Sequence, residues 1–281
     1  MAPRLSLGDL ASVNTLRRFV PYKLRADLKK SLVYPLQALK ATGRADLFSN
    51  VSIETTTTCT RQCAYCPHSV ESARQAKHER GLFMSPELFT NITDQLQALG
   101  FSGKLALQGF GEPLADPDII ARIQEAREKM PFAYITINSN AQLLTGELLE
   151  KLLAAGLSHI YITNHETDPE QRTALGVKIK ALRADPRFAT CISYYTKLTS
   201  LRNRGGAVDP TKFQQFESEG RTSNSTGREI CASETSTLNI TASGNVLVCG
   251  DSFTEDPDSV MGNLNESTIP EIYLSQKFQE I

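Results

Sequence analysis

Three cysteines that lie close together are the residues of this 281-residue chain best suited to chemistry. Cys59, Cys63 and Cys66 stand in a C-x3-C-x2-C pattern, whereas the other three cysteines are scattered. Three thiolates on one short loop can bind three irons of a 4Fe–4S cluster and leave the fourth iron open. A zinc site and a redox thiol pair are the alternatives, but structural zinc usually has four closed ligands. Because His68 follows Cys66 by only two residues, it is a cramped fourth ligand, and the spacing favours the cluster.

Polar segments follow three of the predicted strands. The second strand ends in Gly109-Phe110-Gly111-Glu112-Pro113, the third in Asn138-Ser139-Asn140, and the fourth in Thr163-Asn164. Barrel enzymes carry their chemistry at the carboxyl ends of their strands, so these segments are candidate site residues. A turn or capping role is the alternative for each of them. A Gly-x-Gly-Glu segment alone is weak evidence, but its position after the cysteine triplet and a strand makes it specific.

Together these motifs resemble those of the radical S-adenosylmethionine (SAM) superfamily. The cysteine loop carries that family's C-x3-C-x-aromatic-C signature, with Tyr65 as the aromatic residue, and Gly111-Glu112 matches its Gly-Gly-Glu segment. Residues 81–87 resemble the segment that follows the cluster loop in the branch of this family with C-terminal auxiliary domains. The resemblance implies that SAM binds the open iron and that Glu112 accepts a hydrogen bond from its methionyl amino group. It also implies SAM contacts at the next strand ends, by Ser139, Asn140, Thr163 and Asn164.

The C-terminal tail resembles the opening half of the family's SPASM or "twitch" extension. The pattern Cys231-x12-Gly244-x4-Cys249 carries this resemblance, and in the family this half holds an auxiliary 4Fe–4S cluster. The later, cysteine-dense half is missing here. Only Cys191, Cys231 and Cys249 remain for a second cluster, which would need a non-cysteine ligand, a substrate atom or an open iron. A second cluster therefore stays an open alternative.

Cys249 is also a candidate hydrogen donor. In this family a 5′-deoxyadenosyl radical removes a hydrogen atom from an unactivated carbon. An oxidising enzyme then passes an electron to an auxiliary cluster, whereas a redox-neutral epimerase needs a hydrogen donor on the opposite face. A thiol suits that role, because its S–H bond is weaker than the C–H bond that forms. Cys249 ends a hairpin strand that we expect to lie against the barrel mouth, and we predict that it is the donor. A cluster ligand and a buried, inert thiol are the alternatives.

Charge restricts the partners of the chain. The net charge is −1 and the pI is about 6.5, so no basic footprint indicates nucleic-acid binding. Residues 229–281 are locally acidic, however, with nine acidic residues and a single basic one, Lys277. An acidic rim would concentrate a polycationic substrate, and we predict substrate contacts by Asp251, Glu255 and Glu166. The sequence has no apolar run long enough to span a membrane and no signal-peptide pattern, so we expect a cytoplasmic protein.

The combination resembles the radical SAM epimerases of aminoglycoside biosynthesis over residues 50–281. The resemblance implies a polycationic aminoglycoside substrate, inversion at C5‴ of a terminal aminosugar that turns neomycin C into neomycin B, and consumption of SAM. It also implies an electron donor such as flavodoxin or ferredoxin. The first alternative is an oxidative radical SAM enzyme that acts on a peptide or a sugar alcohol, with a second cluster on Cys231 and Cys249. The second alternative is a zinc-stabilised binding module.

Strands that alternate with helices must position these residues, which indicates βαβ units and a parallel sheet. Five strands are predicted: Val51–Thr55, Lys104–Gln108, Ala133–Ile137, His159–Thr163 and Phe188–Tyr194. Three helices have an N-cap residue followed by proline, at Ser85, Asp116 and Asp168. A further helix, Glu147–Ala155, ends at Gly156. The predicted fold is α/β: an open partial (β/α)5–6 barrel similar to a TIM barrel.

We predict three segments in the chain. Residues 1–47 form an N-terminal helical segment rich in Arg and Lys, either packed on the main domain or used for a membrane surface or partner. Residues 48–228 form the partial barrel. Residues 229–281 form a small extension, with a hairpin of Thr237–Thr241 and Asn245–Val248 around a turn, and a helix over Pro270–Gln279.

Overall fold

A computed structural model describes residues 48–67, 81–196, 237–250, 252 and 258–279. The predicted N-terminal helical segment and the predicted boundary between residues 228 and 229 lie outside these described residues, so the predicted segment boundaries stay predictions. None of the described helices is long and apolar enough to cross a membrane.

One eight-stranded sheet organises the described residues, in the spatial order β5-β4-β3-β2-β1-β6-β7-β8. Its first five strands are mutually parallel in that order. They are β1 (Asn50–Ile53), β2 (Lys104–Leu107), β3 (Tyr134–Ser139), β4 (His159–Thr163) and β5 (Ile192–Tyr195). The helices between them are α1 (Pro86–Ala98), α2 (Ile119–Lys129), α3 (Gly146–Ala154) and α4 (Pro169–Ala184). This α/β architecture confirms the predicted fold class.

The C-terminal hairpin joins the sheet instead of forming a separate appendage. Strand β6 (Thr237–Ile240) pairs in parallel with β1, with Val51 opposite Leu238 and Ile53 opposite Ile240. The pattern matches because apolar residues alternate with polar ones in both strands, so one register buries all four apolar side chains. Strands β7 (Asn245–Leu247) and β8 (Val260–Asn263) continue the sheet in antiparallel fashion. The extension therefore supplies the sixth parallel strand.

The two faces of the sheet differ in chemistry. Successive side chains of a strand point to opposite faces, and one set of strand residues joins the helices in a single apolar core. On that face lie Val51, Ile53, Leu105, Leu107, Ile135, Ile137, Ile160 and Ile162. The opposite face, which we call the inner face, carries polar and aromatic residues: Ser52, Lys104, Thr136, His159, Tyr161 and Asn239. A polar inner face leaves this side of the sheet suited to a hydrophilic ligand.

Two of the three predicted N-caps are confirmed. The Ser85 side chain accepts a hydrogen bond from the Leu88 N–H, and the Asp168 side chain accepts one from the Gln171 N–H. The prediction for Asp116 was wrong, because α2 starts at Ile119, with Asp118 at its cap. Asp116 is instead at the end of a short 3-10 helix, Pro113–Ala115, and pairs with a buried arginine.

The last predicted helix is divided in two. Helix α5 (Ile269–Tyr273) begins with a capping box, in which the Thr268 and Glu271 side chains bond each other's backbone N–H. The second helix, α6 (Gln276–Gln279), is separate because the Ser275 hydroxyl accepts a hydrogen bond from the Phe278 N–H and starts a new turn.

A buried ion pair fixes the start of α2. Arg122 Nε lies 2.9 Å from Asp116 Oδ2, and the two side chains are 3% and 0% exposed. Arg122 also donates to the Met84 carbonyl oxygen, which connects α2 to the segment before α1. Removal of one partner of a buried pair leaves the other charge without compensation.

We therefore expect Arg122→Ala to lower the free energy of unfolding by about 3 kcal/mol, because Asp116 stays buried and charged. Anaerobic urea denaturation measures this change. Arg187→Ala is the matched control: its ion pairs with Glu150 and Asp185 are exposed, so its loss should cost less than about 1 kcal/mol. Equal losses in the two variants would contradict a special role for the buried pair.

Candidate active site

The cysteine loop, residues 59–66, follows β1 at its carboxyl end. Its start is held by Thr57, whose N–H donates to the Leu82 carbonyl oxygen over 3.0 Å and whose hydroxyl accepts from the Leu82 N–H. A turn brings the Cys66 N–H to the Cys63 carbonyl oxygen at 2.8 Å. All three cysteines are half-buried. The loop thus presents three accessible thiols on a short backbone segment.

The arrangement of these thiols fits a cubane cluster better than a single zinc ion. Among the described residues, no three His, Cys, Asp or Glu side chains converge as ligands of one metal ion. In a cubane each thiolate binds a different iron, so the sulfurs need not converge on one point. Burial raises the pKa of the Cys59 thiol, while a backbone hydrogen bond from Arg61 opposes that shift. Because iron binds the thiolate, the metal itself would have to deprotonate Cys59.

The glycine motif is explained by close contact between two loops. A Cβ atom at Gly111 would lie 2.0 Å from the Thr56 carbonyl oxygen, and one at Gly109 would lie 2.5 Å from Glu54 Oε1. Glu54, a buried residue that sequence reasoning missed, accepts a hydrogen bond from the Phe110 N–H at 2.8 Å. The end of β2 can therefore approach the cysteine loop only when both positions are glycine.

Glu112 lies at the centre of the site and connects two strand ends. It is 2% exposed, and its carboxylate accepts hydrogen bonds from the Ser139 hydroxyl and the Asn140 N–H, both at 2.8 Å. The Leu114 N–H is a third donor, at 3.0 Å. Burial raises the pKa of the Glu112 carboxyl, and these three donors oppose the shift. Because a carboxylate has about four acceptor sites, little capacity remains for the predicted SAM amino group.

Asn140 connects β3 to the cysteine loop. Its side-chain amide donates to Thr60 Oγ1 at 3.1 Å and lies 3.9 Å from Cys59 Sγ. The next residue, Ala141, is buried and has a φ of 60°, a conformation that costs a non-glycine residue of order 1–3 kcal/mol. Two hydrogen bonds hold it there: its N–H donates to Ser139 Oγ, and Lys178 donates to its carbonyl oxygen. The strained turn gives Asn140 its position beside Cys59.

Two contacts connect the cysteine loop to the segment after β4. Arg61 forms an ion pair with Glu166 and donates to the His165 carbonyl oxygen at 3.0 Å. The Tyr65 hydroxyl lies 2.6 Å from His165 Nδ1. Glu166, predicted to bind substrate, is thus occupied by Arg61. Arg61 and His165 were not predicted; the only signal for Arg61 was its position between Cys59 and Cys63.

The side-chain amide of Asn164, a predicted SAM contact, forms its hydrogen bonds with other residues of the chain. Its amide donates to the Tyr194 hydroxyl at 2.8 Å and to the Arg172 carbonyl oxygen at 3.1 Å, and its carbonyl oxygen accepts from the Glu166 N–H. The residue therefore connects the ends of β4 and β5 with α4. Thr163 lies beside it at the end of β4, half-buried.

Cys249 and Cys191 lie in different environments. Strand β7 runs antiparallel to β6, so Cys249, two residues beyond β7, lies toward the amino ends of the parallel strands, away from the triplet. A Cβ at Gly250 would be 2.6 Å from Asn239 Oδ1, so this segment contacts the inner face of β6. Cys191 is buried in the apolar core, and its thiol donates to the Phe188 carbonyl oxygen at 3.2 Å. The other predicted residues of this region, Cys231, Asp251 and Glu255, lie outside the described residues.

Comparison with known proteins gives two family matches. Residues 53–187 match the Radical SAM superfamily, and residues 231–281 match SPASM, an iron–sulfur cluster-binding domain. Together these matches imply 4Fe–4S chemistry and SAM. They span both the cysteine loop and the segment that contains Cys249.

Individual relatives agree with these matches. The "S-adenosyl-L-methionine-dependent 2-deoxy-scyllo-inosamine dehydrogenase" of Niallia circulans is 28% identical over 83% of this chain and 84% of its own length. The crystal structure of BtrN with AdoMet and 2-DOIA has a TM-score of 0.67 at 27% identity, covering 83% of this chain and 85% of BtrN. The structure of anSMEcpe with bound AdoMet, at 13% identity and a TM-score of 0.53, covers 82% and 81% of the two chains and supports the fold alone.

Iron content tests the assignment of the cysteines. After anaerobic reconstitution, Cys63→Ala should lose most of the iron of the first cluster, because two thiolates are too few to retain it. Cys191→Ala, the matched control, should keep the full iron content, since this thiol lies in the apolar core. Iron loss equal to one cluster in Cys191→Ala would make that residue a ligand, and zinc in place of iron would contradict the cluster itself.

Glu112→Gln tests the carboxylate at the centre of the site. An amide NH2 in place of one carboxylate oxygen would face the Ser139 hydroxyl or the Asn140 N–H, and loss of a hydrogen bond to a charged group costs about 1.5–3 kcal/mol. We therefore expect SAM to bind about tenfold more weakly or worse, in equilibrium dialysis, with iron retained. Glu147→Gln, on the exposed surface of α3, should bind SAM normally. Unchanged SAM affinity in Glu112→Gln would exclude Glu112 from the SAM site.

Proposed function

Because this chain is a member of the radical SAM superfamily, we propose that it is an epimerase of aminoglycoside biosynthesis that converts neomycin C into neomycin B. The inverted carbon would be C5‴ of a terminal aminosugar. The observation that carries the proposal is the position of Cys249, beside the inner face and toward the strand ends opposite the triplet. A relative named for 2-deoxy-scyllo-inosamine, an aminocyclitol, supports an amine-bearing ring as the substrate.

The residues at the carboxyl ends of the strands would prepare the radical. Cys59, Cys63 and Cys66 would hold three irons of the cluster. A cluster bound there would supply the single electron for SAM cleavage, which is the source of a 5′-deoxyadenosyl radical able to remove a hydrogen atom from the substrate carbon. Glu112 would fix the backbone of Asn140 beside the SAM site, through the 2.8 Å hydrogen bond between them. These residues determine which face of the substrate loses hydrogen.

The thiol of Cys249 would return hydrogen to the other face. Its S–H bond breaks and a C–H bond forms, so the centre is inverted and a thiyl radical stays on Cys249. One electron and one proton restore the thiol, and a flavodoxin or ferredoxin would supply this electron as well as the one for the cluster. One SAM is consumed in each turnover, and the product has the same composition as the substrate.

The local charge of the C-terminal segment supports a polycationic substrate. Residues 229–281 carry nine acidic residues and one basic residue. Asp258 is exposed in this segment, and Asp251 and Glu255, which we propose as substrate contacts, lie close to it in sequence. A group of carboxylates in this segment would raise the local concentration of an aminoglycoside. Glu166 is a weaker candidate, because Arg61 already neutralises its charge.

A second candidate function is oxidation of an aminocyclitol or sugar alcohol. The name of the Niallia circulans relative, a dehydrogenase, favours it, as does the SPASM match that includes Cys231 and Cys249. In that case the substrate radical would lose an electron to a second cluster instead of gaining hydrogen. The two candidates differ in the mass of the product, which falls by two hydrogens on oxidation and stays constant on inversion.

Cys249→Ala distinguishes these candidates. If Cys249 donates hydrogen, the variant should still cleave SAM in the presence of neomycin C and keep its iron, but it should yield no neomycin B, because the substrate radical has no hydrogen source. Liquid chromatography with mass detection measures the products, and electron paramagnetic resonance should detect the persisting radical. Loss of one cluster's iron in this variant would instead favour the ligand role and oxidation.

Turnover in heavy water is the complementary measurement. A thiol exchanges its hydrogen with solvent, so the wild-type enzyme should place one deuterium on the inverted carbon. Cys191→Ala is the matched cysteine control, and it should invert and label the substrate like the wild type. Product without deuterium, or inversion by Cys249→Ala, would eliminate the donor role of Cys249.

A further inference from the structure

The inner face carries an ordered group of side chains that the radical chemistry does not use. Tyr134, His159 and Tyr161 form a row of rings near the amino ends of β3 and β4, with Lys104 on β2 and Ser193 on β5 at its sides; we call this group the Tyr–His wall. Strand register aligns Lys104 with Tyr134 and Tyr161 with Ser193, so these side chains share one face.

The wall is held together by direct contacts. The His159 ring lies between the other two rings, with centroid distances of 6.3 Å to Tyr134 and 4.6 Å to Tyr161. His159 Nε2 is 2.8 Å from Ser193 Oγ. Lys104 Nζ lies over the Tyr161 ring, 4.9 Å from its centroid. These contacts fix the rings before any ligand arrives, which lowers the entropic cost of binding one.

The electrostatics of the wall suit a ligand that carries amines and hydroxyls. Burial lowers the pKa of His159, and the nearby Lys104 lowers it further, so the imidazole is neutral near pH 7 and does not repel an ammonium group. The Lys104 ammonium already occupies one face of the Tyr161 ring, so the hydroxyls of a bound sugar, not its ammonium groups, would lie beside Lys104. All five side chains are half-buried, so part of each faces the space beside the sheet.

Unpaired polar atoms beside the wall point to a ligand. Thr136, which is aligned with His159, is 0% exposed, and its hydroxyl has no hydrogen-bond partner among the described residues. Gln108 Oε1, one residue beyond the end of the neighbouring strand β2, is also buried, and within the same part of the chain it too has no partner. A buried polar group without a partner costs about 1–3 kcal/mol, a cost that a hydroxyl-rich ligand can offset.

We propose that the Tyr–His wall is a carbohydrate subsite that binds a ring of the aminoglycoside other than the ring that reacts. This inference rests on the proposed function and extends it to substrate recognition. Aromatic faces pack against the apolar C–H face of a sugar ring. Lys104 and Ser193 lie at the sides of the rings, where they can exchange hydrogen bonds with sugar hydroxyls.

The wall lies on the strands themselves, whereas the cysteine loop lies beyond their carboxyl ends. Strand β4 has five residues, so its amino end, with His159, lies ~13 Å from its carboxyl end at the usual rise per residue. The cysteine loop lies beyond the carboxyl end of β1. A carbon that loses hydrogen to the 5′-deoxyadenosyl radical must be in contact with it, so the reacting ring would lie between the wall and the cysteine loop, within reach of both the radical and Cys249. A multi-ring aminoglycoside can occupy both places at once.

The test measures binding separately from turnover. Calorimetry with the reconstituted holoenzyme and SAM gives dissociation constants for neomycin C and for the methyl glycoside of its terminal aminosugar, a single-ring probe. Tyr161→Leu should weaken neomycin C binding about tenfold, the size of one lost ring contact, and leave single-ring binding unchanged. Tyr161→Phe, the matched control that keeps the ring, should bind both probes within about twofold of wild type.

The outcomes separate this subsite from the epimerase proposal. Unchanged affinity for neomycin C in both Tyr161→Leu and Tyr134→Leu would overturn the subsite. If these variants also melt at a lower temperature, the role of the wall is purely structural. Equal weakening of both probes would place the reacting ring on the wall and overturn the subsite too. If the wild type binds neomycin C without inverting it, epimerisation fails, and a ring-dependent loss of affinity still supports the subsite. If the wild type does not bind neomycin C, both proposals are wrong.

Discussion

The buried carboxylate of Glu112 is the contact on which the rest of the site depends. Its two oxygens accept hydrogen bonds from Leu114, Ser139 and Asn140, and its N–H donates to the Thr58 carbonyl oxygen. One residue thus connects the loops that follow β1, β2 and β3. A charged group can stay buried only when its acceptor sites are filled, so the three loops must keep their relative positions. The glycines before it are needed for the same reason, because any side chain at Gly111 would push the loops apart.

Local sequence patterns were sufficient to predict most of the strands and helices that make up the sheet and its covering layer. The pattern of apolar residues predicted the five parallel strands β1 to β5 and the C-terminal hairpin, but not the parallel pairing of that hairpin with β1. The caps at Ser85 and Asp168 predicted two helix starts. Asp116 followed the same local rule and was wrong, because its carboxylate is used by Arg122, six residues later. An N-cap residue followed by proline predicts only the next helical turn. A buried carboxylate, in contrast, must pair with whichever cation the fold places beside it.

Side-chain contacts between segments far apart in the chain could not be predicted from the sequence. Arg61 meets Glu166 and Tyr65 meets His165 across about a hundred residues, and no periodicity or spacing links these pairs. The triplet and Glu112 could be singled out from the sequence because each stands in a short motif with fixed spacing. The Tyr–His wall has no such spacing: its members come from four strands and become neighbours only through the register of the sheet.

The parallel pairing of β6 with β1 fixes the position of the C-terminal extension relative to the cysteine loop. Had the hairpin been a separate appendage, Cys249 would have had no fixed relation to the cysteine loop. Because β6 is the sixth parallel strand and β7 reverses direction beside it, the chain delivers Cys249 to the ends of the strands opposite the triplet. Inversion requires that hydrogen leave one face of a carbon and arrive at the other. For the inversion that we propose, a substrate held on the inner face would have the cysteine loop beyond one end of the sheet and Cys249 toward the other.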